Sequence, residues 1–168
     1  VWIVTKRSSI VETNLYLLED VKQEPILIGT SKLDIQDFLE LSDGSIIVST
    51  YGQGVQRLIE DDQGIRFERD DRFPEMTGSL VFKMYQDNYE NIYLAVNFNR
   101  LEVYKLTNDK ISFVKTIDNV GNCKDFYDNP LDTSVWIASA NGILRLDPNS
   151  YARRYLDETD GLPPFKLY

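Results

Sequence analysis

The chain has 168 residues, of which 42% are hydrophobic and 27% charged, and its formal net charge is −9. This composition is ordinary for a globular domain with its own core, and the acidic balance argues against nucleic acid as a partner. Histidine is absent and Cys123 is the only cysteine, which excludes Ser-His-Asp and Cys-His catalysis, most zinc sites and an internal disulfide; we expect no catalytic residues, no metal ion and no cofactor.

Four short apolar segments recur along the chain. They start at Val1, Ile46, Ile92 and Val135 and read VWIVT, IIVST, IYLAV and VWIAS. Their spacing falls within about 40–50 residues, the period of β-propeller blades. No window shows the i, i+3, i+4, i+7 pattern of an amphipathic helix. The repeat therefore predicts an all-β fold.

Each apolar segment belongs to a larger unit of strands. A turn and a second strand follow it, then a short outer strand, and an inner strand precedes it after an acidic turn. The predicted inner strands are 34–41, 79–86 and 122–128, and the predicted outer strands are 25–29, 64–69, 110–116 and 151–156. The sequence thus predicts a β-propeller fragment of about four four-stranded blades, the first lacking its inner strand. The blade units are 1–29, 34–69, 79–116 and 122–156, and residues 157–168 start a next blade or form a closing strand.

The strand patterns predict which side chains are buried. The recurring apolar strands are nearly unbroken hydrophobic runs, as expected for strands covered on both faces. Trp136 lies in such a run, so we expect it to pack in the core between blades. The second strand alternates, as in the segment 101–106, which indicates one wetter face.

The two ends of the sequence fall inside predicted blades. The chain starts on a recurring strand without an initiator Met, and PFKLY at 164–168 has the place of another inner strand. We therefore expect a piece of a longer repeat array. Its partners would be the remaining blades of the parent protein or a second copy of the chain, and the ring could close within one chain, between two, or stay open.

Two segments carry a resemblance to a known family. SDGSIIVSTYGQGVQRL (42–58) and SVWIASANGILRLDPNSYARRYLDETDGLPPF (134–165) resemble two-component regulator propeller repeats, as found in the periplasmic sensor region of Bacteroidetes hybrid two-component systems. The copy at 91–106, NIYLAVNFNRLEVYKL, departs from the pattern because its turn is not rich in glycine. The first unit also departs, because it lacks its first strand, and these two departures leave NHL-like and lyase-like propellers open.

The resemblance implies a non-enzymatic sensor and ligand-binding module. Its parent would be a membrane-anchored hybrid histidine kinase that regulates carbohydrate utilisation, with this region in the periplasm and an oligosaccharide as ligand. The alternatives are a protein–protein interaction scaffold and, less favoured, a lyase-type propeller enzyme.

Ligands of propellers bind at the end formed by the turns after the recurring strands and by the connections between blades. Amide, guanidinium and aromatic side chains at that end suit a polar ligand such as a sugar. The same residue types are also common in solvated turns. The candidate ligand-binding residues are Arg7, Tyr51, Gln53, Arg72, Asn97, Asn99, Arg100 and Asn141.

The acidic clusters and the cysteine have plainer interpretations. None of the clusters at 61–62, 70–71 and 157–160 has the spacing of a calcium loop, so we expect turn-forming aspartates. Cys123 lies on a predicted strand, where a free cysteine usually serves as a small buried hydrophobe.

Overall fold

The computed structural model describes residues 2–6, 13–18, 20, 22–62, 64–76, 78–156 and 158–162. In this part of the chain there are fifteen strands and two short 3-10 turns, at Pro74–Met76 and Glu158–Asp160, and no α-helix. No described helix is long and apolar enough to cross a membrane. The strands are β1 (Trp2–Lys6), β2 (Thr13–Leu17), β3 (Ile26–Ser31), β4 (Ile35–Glu40), β5 (Ile46–Thr50), β6 (Val55–Asp61), β7 (Gly64–Arg69), β8 (Val81–Gln86), β9 (Asn91–Val96), β10 (Arg100–Thr107), β11 (Lys110–Asp118), β12 (Cys123–Asp128), β13 (Val135–Ser139), β14 (Gly142–Leu146) and β15 (Arg153–Leu156).

The strands form four antiparallel sheets in which chain neighbours pair in order. Sheet 1 is β1-β2-β3, and the four-stranded sheets 2, 3 and 4 are β4 to β7, β8 to β11 and β12 to β15. This is the predicted arrangement of propeller blades, including the first blade without an inner strand, and the fold class is confirmed. The chain divides into two compact units, Val1–Val81 and Phe82–Tyr168, which we describe separately.

Several strand ends differ from the sequence expectation. Strand β11 runs on to Asp118 because its ladder with β10 continues as far as the pair Arg100↔Asp118. Strand β15 starts only at Arg153, because Tyr151 adopts a left-handed backbone with φ of 57°. The segment proposed as a closing strand, 164–168, lies outside the described residues.

Acidic residues shape the turns between the first two strands of sheets 2, 3 and 4. The carboxylates of Asp43, Asp87 and Asp132 each accept the backbone N–H two residues further on, at 2.8, 2.8 and 3.1 Å. This local hydrogen bond replaces a ladder bond where the chain reverses, which is why aspartate favours such turns.

In the first unit, the buried positions follow the recurring apolar run of sheet 2. Ile47 and Val48 of β5 are fully buried, and Leu15 of β2 and Val55 of β6 are nearly so. Strands β3 and β7 are in contact, so the outer strands of sheets 1 and 2 lie side by side.

In the second unit, sheets 3 and 4 pack face to face. Tyr93 and Val103 of sheet 3 belong to one buried cluster with Ile137 and Leu144 of sheet 4. Phe126 stacks on Tyr85 with ring centroids 5.4 Å apart and planes 4° apart. Cys123 lies in the same cluster at 4% exposure, and burial raises the pKa of its thiol to about 12. The expected role of Cys123 as a small buried hydrophobe is confirmed.

The burial prediction holds for β9 but is wrong for β10 and β13. All six residues of β9 are buried. Strand β10 does not alternate, because Glu102 is only 4% exposed; its carboxylate pairs with Arg100 Nε at 2.8 Å and accepts the Thr116 hydroxyl at 2.7 Å, which makes its burial tolerable.

Trp136 is half-buried rather than a core residue. It pairs with Tyr127 and Arg145 across sheet 4, on the face opposite to Ile137, and its indole N–H donates to Ser134 Oγ at 2.9 Å. Because only the Ile137 face packs on sheet 3, the apolar run of β13 is covered on one side in the described part of the chain.

The buried carboxylate of Asp87 links the β8–β9 turn to strand β9. Asp87 is 5% exposed and accepts hydrogen bonds from the Asn91 side chain at 2.7 Å and from Tyr93 Oη at 2.8 Å. Asn91 in turn donates to the Pro148 carbonyl at 2.9 Å and accepts from Tyr151 Oη at 2.9 Å. Since Pro148 and Tyr151 lie in the β14–β15 turn, the network fastens sheet 3 to sheet 4.

Replacing Asp87 by Ala is expected to lower the free energy of unfolding by about 2–4 kcal/mol, since several buried donors lose their acceptor at once. Chemical denaturation followed by circular dichroism measures the change. Asp125→Ala, at an exposed position of β12, is the control and should change the stability by less than about 0.5 kcal/mol. Equal effects of the two substitutions would contradict a structural role for the Asp87 network.

Tyr93 and Trp136 occupy equivalent positions of the repeat but differ in burial. We expect Tyr93→Ala to cost roughly 3–5 kcal/mol and Trp136→Ala about 1–2 kcal/mol, because only Tyr93 is fully enclosed. Thermal and chemical unfolding of the two variants provides the comparison. A loss at Trp136 as large as that at Tyr93 would show that the outer face of sheet 4 is covered.

Candidate functional site

Amide side chains meet at one end of sheets 3 and 4. Asn99, in the β9–β10 turn, accepts the Gly121 N–H on its Oδ1 at 3.1 Å and donates from Nδ2 to Asn119 Oδ1 at 3.3 Å. The Asn99 carbonyl also accepts the Val120 N–H at 3.2 Å. These bonds hold the Asn99 amide in one orientation across the connection from β11 to β12.

Asn141 joins this group through Gly121. Gly121 has φ of 73°, and a Cβ built on it would lie 2.8 Å from Asn141 Cγ, so the Asn141 side chain rests directly on the glycine backbone. The Asn141 N–H donates to Ser139 Oγ at 3.2 Å and the neighbouring Ala140 N–H donates to the Asn122 carbonyl at 3.0 Å. We call Asn99, Asn119 and Asn141 the amide cluster.

The β9–β10 turn also presents an aromatic ring that the sequence analysis did not select. Asn97 and Phe98 both have positive φ, 51° and 65°, and a bulky residue in this region is rare because its Cβ crowds the backbone. The Phe98 ring is 48% exposed and lies with its centroid 4.2 Å from that of Phe82. The signal in the sequence was the loss of glycine from this turn.

Arg100 forms an ion pair with a residue of its own strand, β10. Its Nε lies 2.8 Å from Glu102 Oε1, and Glu102 is also held by Thr116. The guanidinium therefore balances a buried carboxylate beside the turn.

The remaining candidates lie in the first unit, apart from Arg7, which is outside the described residues. Tyr51 is 51% exposed and forms an isolated bridge with Leu80. Gln53 lines a cavity of about 360 Å³ between sheets 1 and 2, and its carbonyl accepts the Gln56 side-chain amide at 2.8 Å.

Arg72 is held by two carboxylates of the first unit. Its guanidinium lies 2.8 Å from Asp70 and 3.0 Å from Asp43, and the hydrogen bond to Asp70 is the main cause that raises the Arg72 pKa. Burial opposes ionisation of Asp43, but hydrogen bonds from Ser45 and the charge of Arg72 outweigh it, so the Asp43 pKa is lowered. Asp43 belongs to the β4–β5 turn, so the Arg72 guanidinium lies at the end of sheet 2 opposite to the β5–β6 turn that carries Gln53.

The structure thus brings together only part of the predicted set. Asn97, Asn99 and Arg100 share one turn, and Asn141 joins them beside Gly121. In the described part of the chain no group of three acidic or cysteine side chains is arranged to hold a metal ion. The chemistry that this end offers is hydrogen bonding by fixed amides next to an exposed aromatic ring.

These sheets define a β-propeller fold, and solved structures share it. The chain is similar to the extracellular domain of a Bacteroides thetaiotaomicron protein assigned to the hybrid two-component systems, with a TM-score of 0.63 and 13% identity over 91% of this chain and 21% of that one. It is also similar to the extracellular domain of a one-component system protein of the same organism, with a TM-score of 0.58 and 14% identity over 88% and 21% of the two chains.

A protein from Bacteroides uniformis assigned as a 6-phosphogluconolactonase is similar as well, with a TM-score of 0.59 and 10% identity over 91% of this chain and 49% of that one. No protein-family model and no curated protein matches the sequence. The chain spans about a fifth of the two extracellular domains, and at these identities the likeness shows the fold.

Gly121→Ala tests the close contact within the amide cluster. The substitution should destabilise the protein by about 2–3 kcal/mol, since it adds a clash with Asn141 to the strain of a positive φ. Gly44→Ala is the matched control: Gly44 has φ of 81° but open space around its Cβ position, so only about 1 kcal/mol of strain is expected. Denaturant midpoints measure both changes, and equal losses would mean that Asn141 does not lie on Gly121.

Proposed function

We propose that the chain is part of the periplasmic sensor region of a membrane-anchored hybrid histidine kinase that regulates carbohydrate utilisation. Support comes from the two propeller repeats in the sequence and from the shared fold with extracellular domains of signalling proteins. On this proposal the chain itself is a binding module and performs no catalysis.

The ligand is an oligosaccharide that binds at the β9–β10 turn, and the arrangement of that turn carries the proposal. Fixed amides such as Asn99 suit sugar hydroxyl groups, because each amide offers both donors and an acceptor. The half-exposed ring of Phe98 suits the apolar face of a pyranose. Phe98 is a bulky residue at a strained left-handed turn position, and strain of this kind clusters at ligand-binding sites.

The parent protein supplies further blades around this chain. The units 1–29, 34–69, 79–116 and 122–156 would each be one blade, with 157–168 opening the next or closing the ring. The partner at the ends is then the rest of the parent protein or a second copy of the chain. Mass measurement by light scattering, with and without residues 164–168, separates these arrangements.

A glycan panel read by calorimetry tests the ligand. We expect at least one oligosaccharide to bind, and Phe98→Gly to weaken that binding at least tenfold while the far-ultraviolet circular dichroism stays unchanged, since glycine suits the positive φ. The matched control is Phe113→Ala, which removes a ring of similar exposure, 49%, from β11.

The outcomes separate the alternatives. If no glycan binds to the longer native array and a protein partner does, the chain is a scaffold. If the glycan is cleaved, the chain belongs to a propeller enzyme. Equal losses of affinity in the Phe98 and Phe113 variants would show that the glycan does not bind at the β9–β10 turn.

A further inference from the structure

A second cleft lies at the outer rim of the contact between sheets 3 and 4. It has a volume of about 420 Å³, and it shares Asn119 with the amide cluster. Its walls come from the end of β11, from the β14–β15 turn and from the start of β15. The lining residues are Lys115, Thr116, Ile117, Asp118, Asn119, Tyr151 and Arg153.

Strand alternation decides which side chains enter the cleft. Lys115 and Ile117 pair with Val103 and Leu101, whose side chains belong to the cluster shared with sheet 4. Asp118 is one residue further along, so its carboxylate lies on the other face of β11. Strand β11 of sheet 3 therefore places the Lys115 ammonium group on the side of the cleft, and the Asp118 carbonyl accepts a hydrogen bond from Arg153 there.

Arg153 enters the cleft from sheet 4. It pairs with Leu146, a residue of the face that packs on sheet 3, and its guanidinium donates to the Asp118 carbonyl. Tyr155, two residues along on the same face, donates its hydroxyl to the Asn119 carbonyl at 2.8 Å. These bonds fix the start of β15 against the end of β11.

Tyr151 forms a wall of the cleft beside Lys115. The Lys115 ammonium lies 5.5 Å from the centroid of its ring, and the Tyr151 hydroxyl donates to Asn91 at 2.9 Å. Tyr151 holds this position with φ of 57°, a strained backbone for a bulky residue. The ring is thus fixed at both ends.

The two cations of this cleft differ from six arginines elsewhere in the described part of the chain. Arg66, Arg69, Arg72, Arg100, Arg145 and Arg154 all pair with carboxylates. Among the described residues, Lys115 and Arg153 contact an aromatic ring and a backbone carbonyl instead. The net charge of the chain is −9, yet these two cations line one cleft and form no ion pair with a carboxylate of the described residues, so they are available to attract an anion.

We propose that this cleft binds the carboxylate or sulfate group of a small anionic molecule. The guanidinium of Arg153 retains donors beyond the one given to Asp118, and Lys115 adds a mobile charge at the opposite wall. Both groups bind oxyanions by charge-assisted hydrogen bonds. The two cations lie outside the β9–β10 turn, so substitutions at Lys115 and Arg153 test this cleft without changing the residues of the proposed glycan site.

Two-dimensional amide NMR of the 168-residue chain tests the site. Sodium sulfate, sodium glucuronate and neutral glucose are titrated at constant ionic strength, which removes the general effect of salt. We expect saturable shifts of the amides at 115–119 and 153 with at least one of the two anions, and none with glucose. Sulfate alone identifies a sulfate site, and glucuronate alone a carboxylate site.

Two variants and a control distinguish a specific anion site from non-specific electrostatic attraction. Lys115→Gln leaves the backbone bond of Arg153 intact and should weaken anion binding at least tenfold, as should the double variant K115Q/R153Q. The control K110Q/R154Q removes the same charge from the same two strands outside the cleft and should retain the affinity. Linear, unsaturated shifts, equal weakening in both double variants, or equal shifts with glucose would overturn the proposal.

Discussion

The contact between sheets 3 and 4 is anchored at one end by a buried carboxylate, Asp87. Asp87 is removed from water, and an isolated ion in that position would be costly. Four donors from its own turn and strand compensate it, two of them backbone N–H groups, from Tyr89 and Asn91. Asn91 also bonds the β14–β15 turn. The same side chain that compensates the Asp87 carboxylate therefore positions sheet 4.

The repeat was readable from the sequence because strands and turns leave local signals. Apolar runs of five residues, separated by Gly, Asn or Asp, predicted every sheet and its strand order. The outer strands were less predictable: β11 gains residues because Arg100 offers it a partner, and β15 loses residues to the strained Tyr151. Such ends depend on pairing and packing that no short window of sequence contains.

Burial was less predictable than strand order, because it depends on which face of a sheet another sheet covers. Tyr93 and Trp136 have the same place in their repeats. Sheet 4 covers Tyr93 of sheet 3, whereas Trp136, on the opposite face of sheet 4, is only half-buried. The candidate site shows the same limit. In an acidic chain the arginines Arg72 and Arg100 lie next to carboxylates, whereas the uncharged Asn99 amide bonds Asn119 and the backbone of Gly121.

Three kinds of fastening lie along the contact between sheets 3 and 4. The Asp87 network lies at one end of the contact, and the aromatic and aliphatic cluster fills its middle. At the other end, Arg153 and Tyr155 donate hydrogen bonds to the backbone carbonyls of Asp118 and Asn119. A sliding or hinging motion between the two sheets would have to break at least one of them. Mechanically the pair is therefore stiff, and a force applied at the β9–β10 end would be transmitted as a displacement of both blades together.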